Sequence, residues 1–158
     1  MIIAISGHRP NKLFGYDLTN TKYDFIRNEL KAILQELKAT KVISGMALGV
    51  DTIAAETCIE LKIPFVAAVP FADQKKVWPQ TSQVRYKELL AQACEIVIVC
   101  EGEYAAWKLQ KRNEWMVDRC DKLIACWNGD LSGGTYNCIQ YAEKINKKVI
   151  RIDPYGKI

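Results

Sequence analysis

Lys41-Val42-Ile43-Ser44 runs directly into Gly45-Met46-Ala47-Leu48-Gly49-Val50-Asp51, and the two pieces read as a short strand, a glycine-bearing loop and the first turn of a helix. The helix continues through Ile53, Ala54, Thr57 and Leu61, at the spacing of one helical face. The same alternation extends in both directions. Upstream, Ile2–Ser6 is a strand-like run, and residues 22–39 carry an apolar stripe at Ile26, Leu30, Ile33, Leu34 and Leu37. Downstream, Phe65–Val69 is a strand, and the polar stretch Ala72–Gln83 leads into a helix through Leu89, Leu90 and Ala93. Glu95–Cys100 reads as a buried strand from its β-branched content. A helix over 104–120, a strand at Lys122–Trp127, a loop at Asn128–Gly133, a helix from Gly134 and a strand at Val149–Ile152 complete the chain. Continuous apolar strands between helices predict an α/β fold: a three-layer, Rossmann-like, doubly wound and mostly parallel sheet of about six strands.

The composition agrees. The 158 residues are 49% apolar and 25% charged, ordinary values for a globular chain. One domain over residues 1–158 is expected, with no repeat or linker. No apolar run approaches the roughly 20 residues of a membrane helix, and no basic region precedes a long apolar segment, so neither membrane nor secretory signal is expected. The six cysteines form no Cys-x-x-Cys pair and read as reduced core residues of a cytoplasmic protein. With one histidine, no metal site is expected. A net charge of +4 suits a small anion better than a nucleic-acid track.

Ligands of such sheets bind beyond the carboxyl ends of the strands, so residues just after each strand are the candidates. The first strand ends in Ser6-Gly7-His8-Arg9-Pro10, a close-approach turn with a guanidinium suited to phosphate. His8 is open to ring stacking, a hydrogen bond to ligand, or a local contact. At the second strand end, Ser44, Gly45, Met46 and Gly49 lead into a helix N-terminus, and Asp51 either caps that helix or accepts from a ribose hydroxyl. After the third strand, Pro70 and Phe71 precede Lys75, Lys76 and Trp78; the indole either stacks on a base or covers the sheet end. In the helix at 104–120, Asn113 interrupts the apolar stripe Leu109, Met116, Val117 and Cys120, and its amide needs partners in protein or ligand, with Arg112 beside it. Asn128 and then Gly133-Gly134-Thr135 open the last helix as a second anion cradle.

Taken together, Ser6-Gly7-His8-Arg9-Pro10, Ser44-Gly45-Met46-Ala47-Leu48-Gly49-Val50-Asp51, Arg112-Asn113 with Met116-Val117-Asp118, and Gly133-Gly134-Thr135 resemble the SLOG superfamily of Smf/DprA- and LOG-like Rossmann domains, and within it the YpsA-like branch. The resemblance covers nearly the whole chain. It implies a nucleotide or nucleotide-derived ligand, ADP-ribose-like compounds and signalling nucleotides included, with no obligate cofactor. It also implies pairing into a homodimer.

Relatives divide among three activities. LOG enzymes release the base from nucleoside monophosphates, DprA-like proteins bind single-stranded DNA, and others sense nucleotides. The LOG pattern Pro-Gly-Gly-x-Gly-Thr-x-x-Glu is shortened here to Ser132-Gly133-Gly134-Thr135, with Cys138 in the place of the glutamate. Arg112 matches the LOG arginine, and the acids left to substitute are Asp51, Glu56 and Asp118. A thiol cannot replace a carboxylate at an oxocarbenium-like centre, so a binding module is expected ahead of a nucleotide N-glycosidase, and both ahead of a DNA-associated protein.

Overall fold

A computed structural model describes residues 1–156. Six strands, β1 (Ile2–Gly7), β2 (Lys41–Ser44), β3 (Phe65–Val69), β4 (Glu95–Ile98), β5 (Lys122–Cys126) and β6 (Lys148–Ile152), alternate with α1 (Asp24–Glu36), α2 (Val50–Leu61), α3 (Gln80–Leu90), α4 (Ala106–Asp118) and α5 (Gly134–Lys144). The strands form one sheet in the order β4-β3-β2-β1-β5-β6. Every neighbouring pair is parallel, so the sheet is parallel throughout.

The period-two alternation of each strand splits the core in two. Ile3, Ile5, Val42, Phe65, Ala67 and Val69 face α1, α2 and α3. Ala4, Ile43, Val66, Ala68 and Leu123 face α4 and α5. Helices on opposite faces follow from right-handed crossovers taken first outward from β1 to β4, then back to β5 and β6. The α1 stripe buries Ile26, Leu30 and Leu34 as its spacing predicts. In contrast, α2 buries Val50 through Ala55, Thr57 and Cys58, because it lies between α1 and α3 and has little solvent face. Among the described residues no helix is long and apolar enough to cross a membrane.

Two expectations are corrected. Glu95–Cys100 is not a buried strand: β4 is the sheet edge and ends at Ile98, with Ile96 and Ile98 51% and 54% exposed. β-branched content reports strand propensity, not whether a neighbour lies on both sides. For the same reason Cys94, just before β4, is exposed and Cys100, just after it, is half-buried, whereas Cys58, Cys120, Cys126 and Cys138 are buried; all six are free thiols. The helix expected from residue 22 is instead a one-turn 3-10 helix at Thr21–Tyr23 leading into α1.

The strand order reverses between β1 and β5, which opens a crevice at their carboxyl ends. Gly7 makes that crevice possible. A Cβ there would sit 2.5 Å from the Cβ and Cγ1 of Val50, so only glycine lets the start of α2 approach the end of β1. Gly7→Ala is expected to destabilise the fold by about 1–3 kcal/mol, as overpacked cores do. A urea titration reads this directly, and an unchanged midpoint would refute the packing argument.

Candidate functional site

The crevice is a cleft of about 270 Å³. The end of β1 supplies Ser6, Gly7, His8 and Arg9, followed by Asn11 and Lys12; α4 supplies Leu109, Arg112 and Asn113; the start of α5 supplies Gly133, Gly134 and Thr135. Ala47 and Asp51 enter from the β2–α2 connection.

Arg112 is the charged centre of this arrangement. Only 4% exposed, it donates from Nε to Asn113 Oδ1 at 3.0 Å and from Nη1 to the carbonyls of Gly45 at 2.5 Å and Ala68 at 3.3 Å. Among the described residues no carboxylate lies within 4 Å of it. Burial presses its pKa downward, although a guanidinium stays charged. A Cβ on Gly45 would stand 2.7 Å from Arg112 Cζ, so any side chain there would push the guanidinium from its position. Asn113 finds its partners inside the protein: Oδ1 accepts from Arg112, and Nδ2 donates to Gly134 O at 3.5 Å.

Asp51, 6% exposed, accepts from the Ala47 amide through Oδ2 at 3.2 Å. Its Oδ1 is buried without any hydrogen-bond partner. Burial pushes the carboxyl up to about 6, against the pull of Arg112 and Arg9. Ser44 Oγ donates to Asp51 O and accepts from Met46 N, while Met46 is buried with φ +58° and Gly49 caps α2 with φ +90°. Ser44, Met46 and Gly49 therefore shape the loop and do not themselves line the cleft.

His8 makes a local contact. Its buried ring accepts from the Asn128 amide through Nε2 at 3.1 Å, and its carbonyl accepts from Val50 N at 3.2 Å. Burial lowers its pKa, in keeping with a neutral acceptor. This ties the loops after β1, β2 and β5 together. At the α5 end, Gly133 has φ +95°, and a Cβ on Gly134 would meet nothing within 4 Å. The first intrahelical bond is Asn137 N to Gly133 O, so the earlier amides have no helical acceptor. Lys12 stands at this opening, paired with Asp130 at 2.8 Å; Ser132 Oγ holds the other carboxylate oxygen of Asp130. Lys12 carries little signal in the sequence beyond its position two residues after Pro10 at a strand end, and is not among the residues expected above.

Other candidates lie elsewhere. Glu56 is held by Arg27 at 3.3 Å and Arg85 at 2.8 Å, on the face of α1–α3. Asp118 is exposed and accepts from Tyr141 Oη at 2.6 Å. Pro70 O accepts from Cys100 N. Phe71 and Trp78 line an adjoining cavity, with Trp78 packed edge-on against Tyr86 at 5.2 Å. Lys76 lines that cavity too, and Lys75 does not. Cys138 is fully buried near Ser6 and Arg112, its thiol pushed up to about 12 by burial, so it is neither a carboxylate surrogate nor a nucleophile.

A model of the YspA SLOG family matches residues 3–155. The chain belongs to this family. Among similar proteins, the SPbeta prophage-derived protein YoqJ of Bacillus subtilis is 35% identical, over 75% of this chain and 81% of its own. A UPF0398 protein of Brevibacillus brevis is 27% identical, over 83% and 74%. Two solved structures share the fold. DNA processing protein A of Helicobacter pylori, a single-stranded DNA-binding protein, superposes with a TM-score of 0.68 at 23% identity, over 96% of this chain and 64% of its own. A molybdenum cofactor binding protein of Rippkaea orientalis gives 0.60 at 18%, over 95% and 74%.

The state of Asp51 is open to measurement. Its carboxyl is raised from 3.8 to about 6 on folding. The folded state therefore binds more protons across that window, and the contribution of Asp51 to stability declines as pH rises through it. Asp51→Asn is expected to melt higher than the parent at pH 7, by on the order of 1–3 kcal/mol, with the advantage shrinking toward pH 4. Calorimetric melts across that range decide it; a lower melting temperature at pH 7 would mean the carboxylate is well solvated by its surroundings.

Proposed function

We propose that this SLOG protein is a binding module for a nucleotide or nucleotide-derived small molecule, held in the cleft between β1 and β5. The observation that carries this reading is the meeting of two groups in one cleft: a buried Arg112 with no carboxylate within 4 Å among the described residues, and a buried Asp51 Oδ1 without a donor. A ligand bearing both an anion and hydroxyl groups completes both. In this reading the phosphate lies between Arg112 and the open α5 N-terminus, against Thr135, Lys12 and Arg9, and a ribose hydroxyl donates to Asp51 Oδ1. Single-stranded DNA binding by a protein of the same fold is consistent with a nucleotide unit, but the net charge of +4 favours a small anion.

Thermal shift against nucleoside monophosphates, ADP-ribose, cyclic dinucleotides and a single-stranded oligonucleotide tests this. A ligand at a hundred times its Kd stabilises by about 2.7 kcal/mol, a rise of several degrees. Gly134→Ala, with open space for its methyl group, is expected to leave the free protein's melting temperature nearly unchanged while weakening the ligand about ten-fold. No shift with any of these compounds would overturn the proposal.

One observation favours a second reading, hydrolysis of an N-glycosidic bond. Asp51, alone among the candidate acids, lies in the cleft and has a carboxyl raised to about 6. Water would attack C1′ while the C1′–N bond breaks and the base leaves with a proton. Release of free base from a nucleoside monophosphate, lost in Asp51→Asn, would establish this reading in place of simple binding.

A further inference from the structure

The cleft at the β1–β5 reversal does not stand alone. A second cavity of about 440 Å³ adjoins it, and Arg9 and Leu109 line both. At about 270 Å³ the cleft falls below the roughly 300–1,000 Å³ that encloses a drug-sized ligand, whereas the two spaces together fall well within it. The chemistry of the second space differs from that of the first. Its walls include Phe71, Val77, Trp78 and Tyr104, with Phe71 and Tyr104 edge to face at 5.9 Å. Val77 is 90% exposed and Tyr104 68%, so much of this apolar wall is left uncovered by the protein.

One polar group in the second cavity is incomplete. Gln74 is 6% exposed, and its Nε2 donates to the carbonyls of Gly45 and Met46, both at 3.2 Å. Those two acceptors fix the amide orientation, since the flipped amide would set oxygen against oxygen. Oε1 is then an acceptor, buried and without a partner. The Tyr86 hydroxyl interacts with this amide but does not complete a hydrogen bond to Oε1. A buried acceptor on a side chain that borders an apolar, ring-lined space is matched by a flat heterocycle carrying an N–H donor.

Resting on the nucleotide reading above, we infer that this second cavity is the base subsite, that Gln74 Oε1 accepts an N–H of the base, and that Arg9 spans the junction between base and phosphate ends. Gln74 is then a specificity-determining residue. The same side chain holds the carbonyl of Gly45 that also receives Arg112, so it connects the two subsites.

Titration calorimetry with ribose 5-phosphate and with AMP, GMP, CMP and UMP tests this on the intact protein, on Tyr104→Ala, and on Gln74→Met. At least one nucleotide is expected to bind ten-fold or more tightly than ribose 5-phosphate. That gain should be reduced in Tyr104→Ala, whose side chain is largely exposed, and lost in Gln74→Met. Unchanged ribose 5-phosphate affinity in Tyr104→Ala shows that the phosphate end survives there; in Gln74→Met, which also frees the Gly45 carbonyl, the gain is read as the ratio of nucleotide to ribose 5-phosphate affinity. If ribose 5-phosphate matches all four nucleotides, or if the gain persists in both variants, the base subsite is wrong while the cleft stands. If neither ribose 5-phosphate nor any nucleotide binds, the cleft reading fails and the subsite with it.

Discussion

A guanidinium buried beside carbonyl oxygens sets the conditions for the rest of the site. Arg112 reaches from α4 to the carboxyl ends of β2 and β3, where the carbonyls of Gly45 and Ala68 and the amide of Asn113 take its donors. These partners orient the charge without cancelling it. Such burial is costly unless the ion is well hydrogen-bonded, and the surroundings are built accordingly. Residue 45 must lack a side chain, Asn113 must break an apolar stripe, and Gln74 must hold the same loop from the other side. The glycine motif after β2 is thus a consequence of where Arg112 sits as much as a ligand loop.

The loops around this charge come from strands far apart in sequence, and neutral hydrogen bonds hold them in register. His8 joins the first and fifth strand ends by accepting the Asn128 amide, and its carbonyl fixes the start of α2. A protonated imidazole would lose that acceptor, which agrees with the lowered pKa that burial gives it. Lys12 and Asp130 join the same two loops at the solvent side, as a partly exposed ion pair of modest strength. The inner clasp is therefore rigid and uncharged, and the outer one is charged and exchangeable. In the binding reading proposed above, a phosphate would compete with Asp130 for Lys12 and leave the His8 contact in place.

Much of this was readable before any coordinates. Alternating apolar runs specify the parallel sheet, and the glycines at positions 7, 45, 49 and 133 each meet a real steric or backbone demand. Interior facts were less accessible. That β4 is an edge depends on strand order, which its β-branched residues do not encode. That His8 and Asn113 are satisfied within the protein depends on partners 120 and 21 residues away. Local sequence leaves Trp78 open between stacking on a base and covering the sheet end, because its packing neighbour Tyr86 lies on the next helix. Gln74 carried no motif at all. Its significance arises only when two carbonyls fix one end of the amide and burial isolates the other.

The two orphan acceptors, Asp51 Oδ1 and Gln74 Oε1, have the same logic in different surroundings. Each side chain uses one end to shape the β2–α2 loop, through the Ala47 amide in one case and the Gly45 and Met46 carbonyls in the other. Each leaves an oxygen buried and unpaired at a cavity it lines. Folding alone would favour apolar replacements that leave nothing unsatisfied. Loop geometry accounts for one end of each residue and not for the other. A ligand with one donor on its sugar and one on its ring would account for both, with Arg9 at the boundary between them. The mixed charge of the cleft has the same origin: a carboxyl raised by burial, against the pull of Arg112 and Arg9, stands in one cleft with both guanidinium groups.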